Sequence, residues 1–594
     1  MAGEPYLSPT ALCGSSNILY VACRTANRVL EFDAQREAVS RSLDLPGTPS
    51  GLTLSSTRLF ITCATPESSV YIVDLKKWKI VKSLKAGHTA ISPRLSPDGK
   101  RLYICNRFDN DVSVFDVGKS KELKRIPVQR EPVALAVTPD GKHVLVANHL
   151  PVGRADVENV ASVISVIDTK QLCVVKELKL PQGSVILKDI EISPDGRLAV
   201  VTHQVASYQR AATRVTSGWI NANAMTVIDV AKLEPVGTIL LDEPNRGAAN
   251  PWGAAWMEDR VAITHAGTHE ISVIDINSLL ANWPIKVTTK NPTTVQTRVA
   301  TYISHYEGLD PGLPYLTGAR ERIALPKDDF GPRAVTVLGQ KIYTANYFSD
   351  TLSEIDLTVT NPVPRSIALG PKIEMTTVRK GEFYFNDARL CQQGWQSCVS
   401  CHPDDARADG LNWDLANDGI GNPKNTRSLL NAHKTGPAMS LGVRDNAEAA
   451  VRAGIKFILF TQQPESIPAA MDEYLKSLNP IPSPHLEHGR LSTSAKRGQK
   501  TFQRLGCTEC HPPGLYTDMA QHNVGTNRGF DRTHDRFYTL PLIELWRTAP
   551  YLHDGSAATV RDVLTTRDPK HQHSDVSTLS SKDLDDLCEF LLSL

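Results

Sequence analysis

The stretch SPDGKRLYICNRFDNDVSVFD (Ser96–Asp116) decides the fold of the first two-thirds of the chain. Its Asp-Gly pair is typical of a tight hairpin turn. Two short runs rich in β-branched and aromatic residues follow, LYICN and VSVFD. Runs of this kind, separated by turn residues, predict neighbouring strands of an antiparallel sheet.

The same pattern occurs seven times along the chain. One run in each repeat ends on an aspartate. These aspartates are Asp33, Asp74, Asp116, Asp168, Asp229, Asp275 and Asp356. A second strand precedes each of these runs, a third lies further upstream, and a fourth often follows. Seven four-stranded units at a period of roughly 42 residues predict a seven-bladed β-propeller, which we assign to residues 1–372.

The blade pattern resembles the propeller family named for its Tyr-Val-Thr-Asn repeats. The resemblance covers about residues 6–370 and implies a fold, not an activity. Two insertions follow second strands, at Leu150–Ala161 and Gln204–Asn223, and a third follows a third strand at Asn277–Gly318. We expect the first two insertions to contact whatever follows residue 372, on the face opposite the Asp-Gly hairpins.

One position in the second strand of each blade carries a polar or thiol residue. These residues are Cys23, Cys63, Asn106, Asn148, His203, His265 and Asn346. In a propeller they would form a ring near the central channel. One interpretation is a metal or ligand site that uses His203 and His265, because Cys and His are soft metal ligands. The other is a set of polar strand ends that bond neighbouring loops.

The charge balance limits the classes of partner. The chain of 594 residues has 65 basic and 64 acidic side chains, a net charge of +1. This balance argues against a nucleic-acid-binding or polybasic membrane-surface protein. No apolar run is long enough for a membrane span, and the first residues show no secretory leader. Eleven cysteines and 17 histidines stand out in the composition.

Two pentapeptides after residue 372 account for four of the cysteines. They read Cys398-Val-Ser-Cys401-His402 and Cys507-Thr-Glu-Cys510-His511. This spacing predicts covalent attachment of c-type haem, with the thiols bonded to the haem and the histidine bound to iron. We call the two groups haem 1 and haem 2. Most of the other seven cysteines are interpreted as small buried residues, not a disulfide framework.

The region with the two motifs is a duplication. Thr435–Gly442 parallels Thr548–Gly555, and Ser428–Lys434 parallels Pro541–Arg547. Helical patterns replace strand patterns here, at Asn446–Phe460, Ile467–Leu478 and Ser580–Leu594. A proline-rich break after residue 478 separates the halves. The fold class is therefore multidomain: an all-β propeller followed by a mainly α di-haem cytochrome c domain, with half-domains at 373–480 and 481–594.

The segments RKGEFYFNDARL and LWRTAPYLHDGSAATVRDVL resemble the bacterial di-haem cytochrome c peroxidases, a superfamily that includes MauG. The resemblance spans about residues 375–594. It implies one haem that reacts and a second that relays electrons. It also implies a calcium ion between them, held by the Asn425 side chain and by backbone carbonyls near Thr539 and Pro541.

The chain departs from this family around haem 1. The window Asp414–Gly421, where the family often carries a sixth iron ligand, has no histidine. Haem 1 is therefore either open or takes His433, Met439 or a propeller residue. The family's relay tryptophan is replaced by serine, and Trp546 or Trp413 are the substitutes. The distal Glu and Gln of these peroxidases have no clear match in this chain, and the nearest candidates are Gln462, Gln463 and Glu465. Because a distal acid–base group is a strong catalyst, its loss leaves peroxidase activity in question.

The second haem also departs from the family. The methionine ligand of the peroxidases falls on Arg567, which cannot bind iron. His571 and His573 follow, and we expect His573 to be the sixth ligand, with His571 as the alternative. His553 is expected to line the haem pocket.

These features predict an oxidoreductase of the cytochrome c peroxidase/MauG class with two covalent haems c. Haem 1 would react with peroxide or an organic substrate, and haem 2 would exchange electrons with a small cytochrome or cupredoxin. Two alternatives remain: a pure electron-transfer cytochrome, and a dehydrogenase with its active site in the propeller. Because haem attachment takes place outside the bacterial cytoplasm, we expect a periplasmic protein whose leader is absent from this numbering.

Overall fold

The blades form as the hairpin pattern predicts. The computed structural model describes residues 5–208, 220–281, 318–415 and 422–594. Within them, strands β1–β28 make seven four-stranded antiparallel sheets, each from consecutive strands. Blades 1 to 3 hold β1 to β12 in order: Pro9–Ser15, Ile18–Cys23, Arg28–Asp33, Ala38–Asp44; Pro49–Leu54, Arg58–Cys63, Ser69–Asp74, Lys79–Lys85; Ala90–Leu95, Arg101–Asn106, Asp111–Asp116, Lys121–Pro127.

Blades 4 to 7 carry the longer connections. They hold β13 to β28 in order: Pro132–Val137, His143–Asn148, Val163–Asp168, Cys173–Lys179; Ser184–Ile192, Leu198–Ala206, Asn221–Asp229, Glu234–Leu240; Pro251–Met257, Arg260–His265, Glu270–Asp275, Arg320–Ala324; Pro332–Leu338, Lys341–Asn346, Thr351–Asp356, Arg365–Ala368. A short helix, α1 (Ile276–Ala281), follows β23. Most of the Asn277–Gly318 insertion and part of the Gln204–Asn223 insertion lie outside the described residues.

The ring of blades closes without exchanging a strand. Blade 1 comes wholly from the N-terminus and blade 7 wholly from residues 332–368, and their buried side chains form one apolar cluster. The next segment of the chain covers this seam. Arg379, which is buried, donates from one guanidinium nitrogen to Ser8 Oγ at 2.9 Å and to the Tyr347 carbonyl at 2.7 Å. The Tyr6 hydroxyl bonds the backbone of Glu374 and Thr376.

The haem region consists of two halves, each built on a crossed helix pair. In the first half α2 (Thr377–Asn386) packs on α4 (Ser466–Ser477), and in the second α5 (Thr493–Arg504) packs on α7 (Ser581–Leu592). Two further helices are α3 (Ala447–Phe457) and α6 (Val560–Leu564). No helix of the described residues is long and apolar enough to cross a membrane.

A glycine permits each crossing. A Cβ atom at Gly381 would collide with the Ala470 carbonyl oxygen, and one at Gly498 with the Asp586 carbonyl oxygen. Four residues after each glycine, Phe385 and Phe502 contact an aromatic ring of the partner helix, with centroid distances of 5.5 and 5.3 Å. The two halves therefore repeat the same packing.

The duplicated loops agree in backbone detail. Gly436–Pro437 and Ala549–Pro550 are cis peptides, and Met439 and Leu552 share a φ of 72°. The predicted helix bounds are also close: Asn446 caps α3 by accepting from the Ala449 N–H, and Ser580 caps α7. Helices α2 and α5 were missing from the prediction.

Candidate functional site

One cavity of about 1230 Å³ runs between the two halves of the haem region. It exceeds the roughly 300–1,000 Å³ of ordinary ligand pockets. Its wall includes the cysteines and histidines of both pentapeptides. All 11 cysteines are free thiols, so the four motif cysteines are available for covalent attachment. The cavity therefore fits the two haem groups that the motifs predict.

The haem 1 motif contacts the propeller through hydrogen bonds. Ser400 Oγ donates to Asn250 Oδ1 at 3.1 Å, and Gln204 Nε2 donates to Ser400 Oγ at 3.3 Å. Asn221 Nδ2 lies 3.5 Å from Cys401 Sγ. The Ala155 N–H donates to the Gly555 carbonyl at 2.9 Å. The described parts of the first two insertions thus contact the haem region, as predicted, on the face opposite the Asp-Gly hairpins.

His402 lines the cavity from the haem 1 side. Burial lowers the pKa of His402 to about 4, although the Arg407 and Arg427 backbones oppose the shift. A neutral imidazole is the form that binds iron. Among the described residues, no aromatic or imidazole ring contact to His402 is found on the cavity side.

The haem 2 side holds two opposed imidazoles. His511 Nδ1 donates to the Tyr516 carbonyl at 2.8 Å, which leaves Nε2 free for a metal. The rings of His511 and His573 have centroids 6.5 Å apart. Two imidazoles on opposite sides of one metal ion, each bonded at about 2 Å, have ring centres about 6 Å apart. The pair therefore has the spacing that a six-coordinate haem iron needs.

Asp568 fixes the backbone of the loop that places His573 in the cavity wall. Its buried carboxylate accepts from three successive backbone N–H groups, those of Gln572, His573 and Ser574, at 2.7, 3.0 and 2.8 Å. Burial lowers the pKa of His573, which again favours the neutral imidazole. His571 also lines the cavity, but its side chain is 43% exposed and its Nδ1 lies 3.8 Å from Asp575. The geometry favours His573 over His571.

A salt bridge joins the two halves behind the cavity. Arg407 Nε and Nη2 donate to the two carboxylate oxygens of Glu544 at 2.6 and 2.9 Å. Both side chains are almost wholly buried, at 4% and 1% exposure. Glu544 also accepts from the Ile481 N–H in the linker at 2.6 Å. This pair fixes both halves and the linker to one another.

Asp404, two residues after the haem 1 histidine, contacts three side chains of the propeller. Arg107 donates to its carboxylate, Lys188 Nζ lies 3.0 Å away, and His149 Nε2 lies 2.5 Å away. Burial alone would raise the pKa of Asp404, but Arg107, Lys188 and His149 together hold it well below its usual range. The carboxylate is therefore ionised.

The residues predicted for a distal site lie away from the cavity. Gln462 and Gln463 do not line it, and Glu465 pairs with Arg452 at the surface. His433 is also outside the cavity wall, with Nε2 3.1 Å from Asp472, whereas Met439 is part of the wall. Of the ligands considered for haem 1, the described residues bring only Met439 to the cavity.

The two tryptophans differ in position. Trp546 packs outside the cavity against His88 and Phe108 of the propeller. Trp413 lines the cavity, and its Nε1 donates to Asp409 at 2.8 Å. Burial raises the pKa of Asp409 to about 6. Only Trp413 lies where a relay between the haems could use it.

His553 and the residues of the expected calcium site also line the cavity. His553 stacks on Phe537 with centroids 3.7 Å apart, and its Nε2 bonds Asp531 at 2.7 Å. The Asn425 side chain donates to Asn412 Oδ1 at 3.0 Å, while the Thr539 carbonyl accepts from Thr517 Oγ1 at 2.6 Å. Pro541 belongs to the same wall.

Both histidines of the propeller ring bond protein groups. His203 bonds the Gln204 carbonyl at 3.0 Å and Thr226 Oγ1 at 2.8 Å, and His265 bonds Ser272 Oγ at 2.7 Å. The one group of potential metal ligands found among the described residues is Cys510, Asp518 and His522, in the haem region. These bonds favour the interpretation of the ring as polar strand ends.

Sequence reasoning missed the residues that receive the haem region. They follow the ring by one position: Arg107 comes after Asn106, His149 after Asn148 and Gln204 after His203. Arg107 and His149 lie just past the end of a second strand, Gln204 lies near the end of one, and all three contact the haem 1 segment. The available signal was the three consecutive blades with a large polar residue at this position.

Comparison with known proteins agrees with both parts of this architecture. The family model for the seven-bladed β-propeller lactonases matches residues 62–152. Hydrazine synthase subunit gamma of Kuenenia stuttgartiensis is 29% identical over 273 residues, 36% of this chain and 77% of that protein. The methylamine utilization protein MauG of Methylorubrum extorquens is 25% identical over 258 residues, 34% of this chain and 70% of that protein. The chain is a seven-bladed β-propeller joined to a MauG-like cytochrome c domain.

The solved structures agree with this fold. A chain of Kuenenia stuttgartiensis hydrazine synthase superposes with a TM-score of 0.50 at 23% identity, over 60% of this chain and 97% of that one. The MauG-like domain has di-haem c-type oxidoreductases as relatives. These relatives support haem c as the cofactor.

Proposed function

We propose that the protein is a di-haem oxidoreductase in which haem 1 reacts with substrate and haem 2 relays electrons. The observation that carries this proposal is the unequal supply of imidazoles. His511 and His573 are spaced for two ligands on one iron, whereas His402 has no imidazole opposite it among the described residues. Haem 2 would be six-coordinate, and haem 1 would keep an open side toward the cavity.

The residues around each haem would have distinct tasks. Bound haem would supply the redox-active iron. Cys398, Cys401 and His402 would hold haem 1, and Cys507, Cys510, His511 and His573 would hold haem 2. The Tyr516 carbonyl fixes the His511 tautomer. Trp413, in the cavity wall, would assist electron transfer between the haems. Peroxide or an organic molecule would be the substrate.

Spectroscopy of the holoprotein tests this assignment. We expect a mixture of high-spin and low-spin ferric haem by electron paramagnetic resonance, with the high-spin signal lost on addition of cyanide. His573→Ala should convert the low-spin haem to high spin, while the matched variant His571→Ala should not. A wholly low-spin spectrum that ignores cyanide would refute an open haem 1.

Met439 supports a second candidate, a pure electron-transfer cytochrome. Its side chain is in the cavity wall and a thioether can be an axial iron ligand. Under this alternative, Met439→Leu would turn a low-spin haem 1 into a cyanide-binding one. Under the leading proposal the variant leaves the spin states unchanged.

The setting of the protein follows from the haem chemistry. We infer export to the periplasm, because covalent haem attachment takes place outside the bacterial cytoplasm. The electron partner would be a small cytochrome or cupredoxin. A calcium ion at Asn425, Thr539 and Pro541 is part of the same proposal, and metal analysis of the purified protein checks it.

A further inference from the structure

The two halves of the haem region differ most on the proximal side of each haem. In the second half, the His511 imidazole donates to a backbone carbonyl within its own loop. In the first half, His402 lies close to the backbones of Arg407 and Arg427 instead. The three residues Asp404, Asp405 and Ala406 then adopt positive φ values of 49°, 63° and 63°. Three successive non-glycine residues in this region are strained.

The propeller stabilises this strained turn through Asp404. The three side chains that contact the carboxylate come from three successive blades: Arg107 follows β10, His149 follows β14 and Lys188 lies in β17. The Lys188 side chain is only 11% exposed and its Nζ also lies 4.3 Å from the centre of the Trp252 ring. The geometry requires these three blades to be packed side by side, because no single blade supplies all three contacts.

The surroundings of Asp404 are positively charged. Arg547 of the second half donates to the Asp404 carbonyl, and Arg130 bonds the Arg547 carbonyl at 2.7 Å. Glu131 is the other buried carboxylate, bound by Arg107. Four cations thus surround two carboxylates on the proximal side of haem 1. Among the described residues, the groups around His511 are instead the Tyr516 carbonyl, the His573 ring, Asp518 and His522.

The charge around Asp404 acts on the iron. Buried positive charge stabilises the reduced, less positive form of a haem. At haem 2, the hydrogen bond from His511 to a carbonyl increases the basicity of the ligand and favours the ferric form. Haem 1 has the charge, while haem 2 has this hydrogen bond and a second imidazole.

We propose that the propeller, through its contacts with Asp404, gives haem 1 the higher reduction potential, so that haem 1 is reduced before haem 2. One electron from a redox partner protein that enters at haem 2 would pass to haem 1, oxidising haem 2 as haem 1 is reduced. Asp404, Lys188 and Arg107 are positioning residues in this scheme. The inference rests on the proposed assignment of two haems, but not on haem 1 being open.

A spectroelectrochemical titration of the full holoprotein tests this order. The His573→Ala variant identifies the signals of haem 2, so the assignment does not depend on the spin state of haem 1. We expect haem 1 to be reduced at the higher potential. Lys188→Met should lower the potential of haem 1, because it removes a cation, and Asp404→Asn should raise it, because it removes an anion. Haem 2 should not shift in either variant.

Opposite shifts separate an electrostatic role from a structural one, since loss of packing would move both variants in the same direction. Lys341→Met is the matched control: this lysine pairs with Glu354 at 3.1 Å at the far end of a second strand. It should leave both potentials unchanged. If Asp404→Asn lowers the yield of protein, Lys188→Met and Arg107→Met carry the test. Reduction of haem 2 first, a shift of the same sign in Lys188→Met and Asp404→Asn, or a raised haem 1 potential in Lys188→Met or Arg107→Met would overturn the inference. Cyanide binding at haem 1 is a separate readout, so its failure would refute the proposed function alone.

Discussion

Removal of Glu544 should loosen the two haem halves. The Arg407–Glu544 pair is buried, bidentate and shared with the linker N–H of Ile481. Truncating one partner of such a pair costs about 3–5 kcal/mol, because the other charge stays buried and unpaired. We expect Glu544→Ala to reach the upper half of this range, since it also leaves the Ile481 N–H without its acceptor.

Urea unfolding of the holoprotein, followed by Soret absorbance, measures this loss. With an m-value of about 2–3 kcal/mol per M, a loss of ~4 kcal/mol lowers the midpoint by roughly 1.3–2 M. Arg497→Ala is the control. Arg497 binds Asp586 in the same bidentate way, at 2.6 and 2.7 Å, but its side chain is 47% exposed. Its removal should cost less than that of Glu544, because its guanidinium is solvent-exposed and Asp586 keeps Ser494 and Lys582 as partners.

The double variant Arg407→Met/Glu544→Leu completes the cycle. Because it leaves no buried charge, it should be more stable than the sum of the single variants predicts, by about 2 kcal/mol or more. Strict additivity, or a Glu544→Ala variant no less stable than Arg497→Ala, would refute the reasoning.

Three other predictions concern helix packing, pH and the propeller seam. Gly498→Ala should destabilise the second half by about 1–3 kcal/mol, because the new methyl group collides with the Asp586 carbonyl oxygen. The control Gly454→Ala in α3, where the space is open, should have no such effect, and equal urea midpoints for the two variants would contradict the prediction. Burial lowers the pKa of His203 to about 4, so below pH ~6.5 the unfolded state binds this proton more readily than the folded state, and the free energy of unfolding decreases by about 3 kcal/mol toward pH 4. His203→Asn should flatten this decrease in thermal midpoints, and an unchanged pH profile would disprove the prediction. Arg379→Met should lower the midpoint of the propeller transition in circular dichroism, because Ser8 and Tyr347 lose their shared donor; a shift confined to the Soret transition would argue against that role.

The fold was predictable because its signals are local. Each blade is encoded by alternating strands within about 40 residues, and three of the seven blades also carry an Asp-Gly turn. The candidate haem-attachment residues could be picked out for the same reason, since both thiols and the histidine lie in one pentapeptide. Helices α2 and α5 were missed, although each carries a glycine followed four residues later by phenylalanine. This repeated spacing was the available signal.

The contacts of Asp404 could not be predicted in the same way. Arg107 and Lys188 lie 297 and 216 positions away from it, and no short-range pattern joins them. The ring of second-strand residues was placed correctly in the blades, yet its side chains bond inside their own blades. The residues one position later make the contacts with the haem region, because they stand at or beyond the end of the strand and face the adjacent domain.

The seam between blades 1 and 7 has a consequence for how such chains can be recombined. The propeller ends in sequence at residue 368, but a side chain that bridges its first and last blades belongs to the helix that opens the haem region. The unit that can be exchanged between proteins, or expressed alone with a complete ring, therefore extends through Asn386. During synthesis the ring obtains its last inter-blade contact only when the first segment of the cytochrome has left the ribosome.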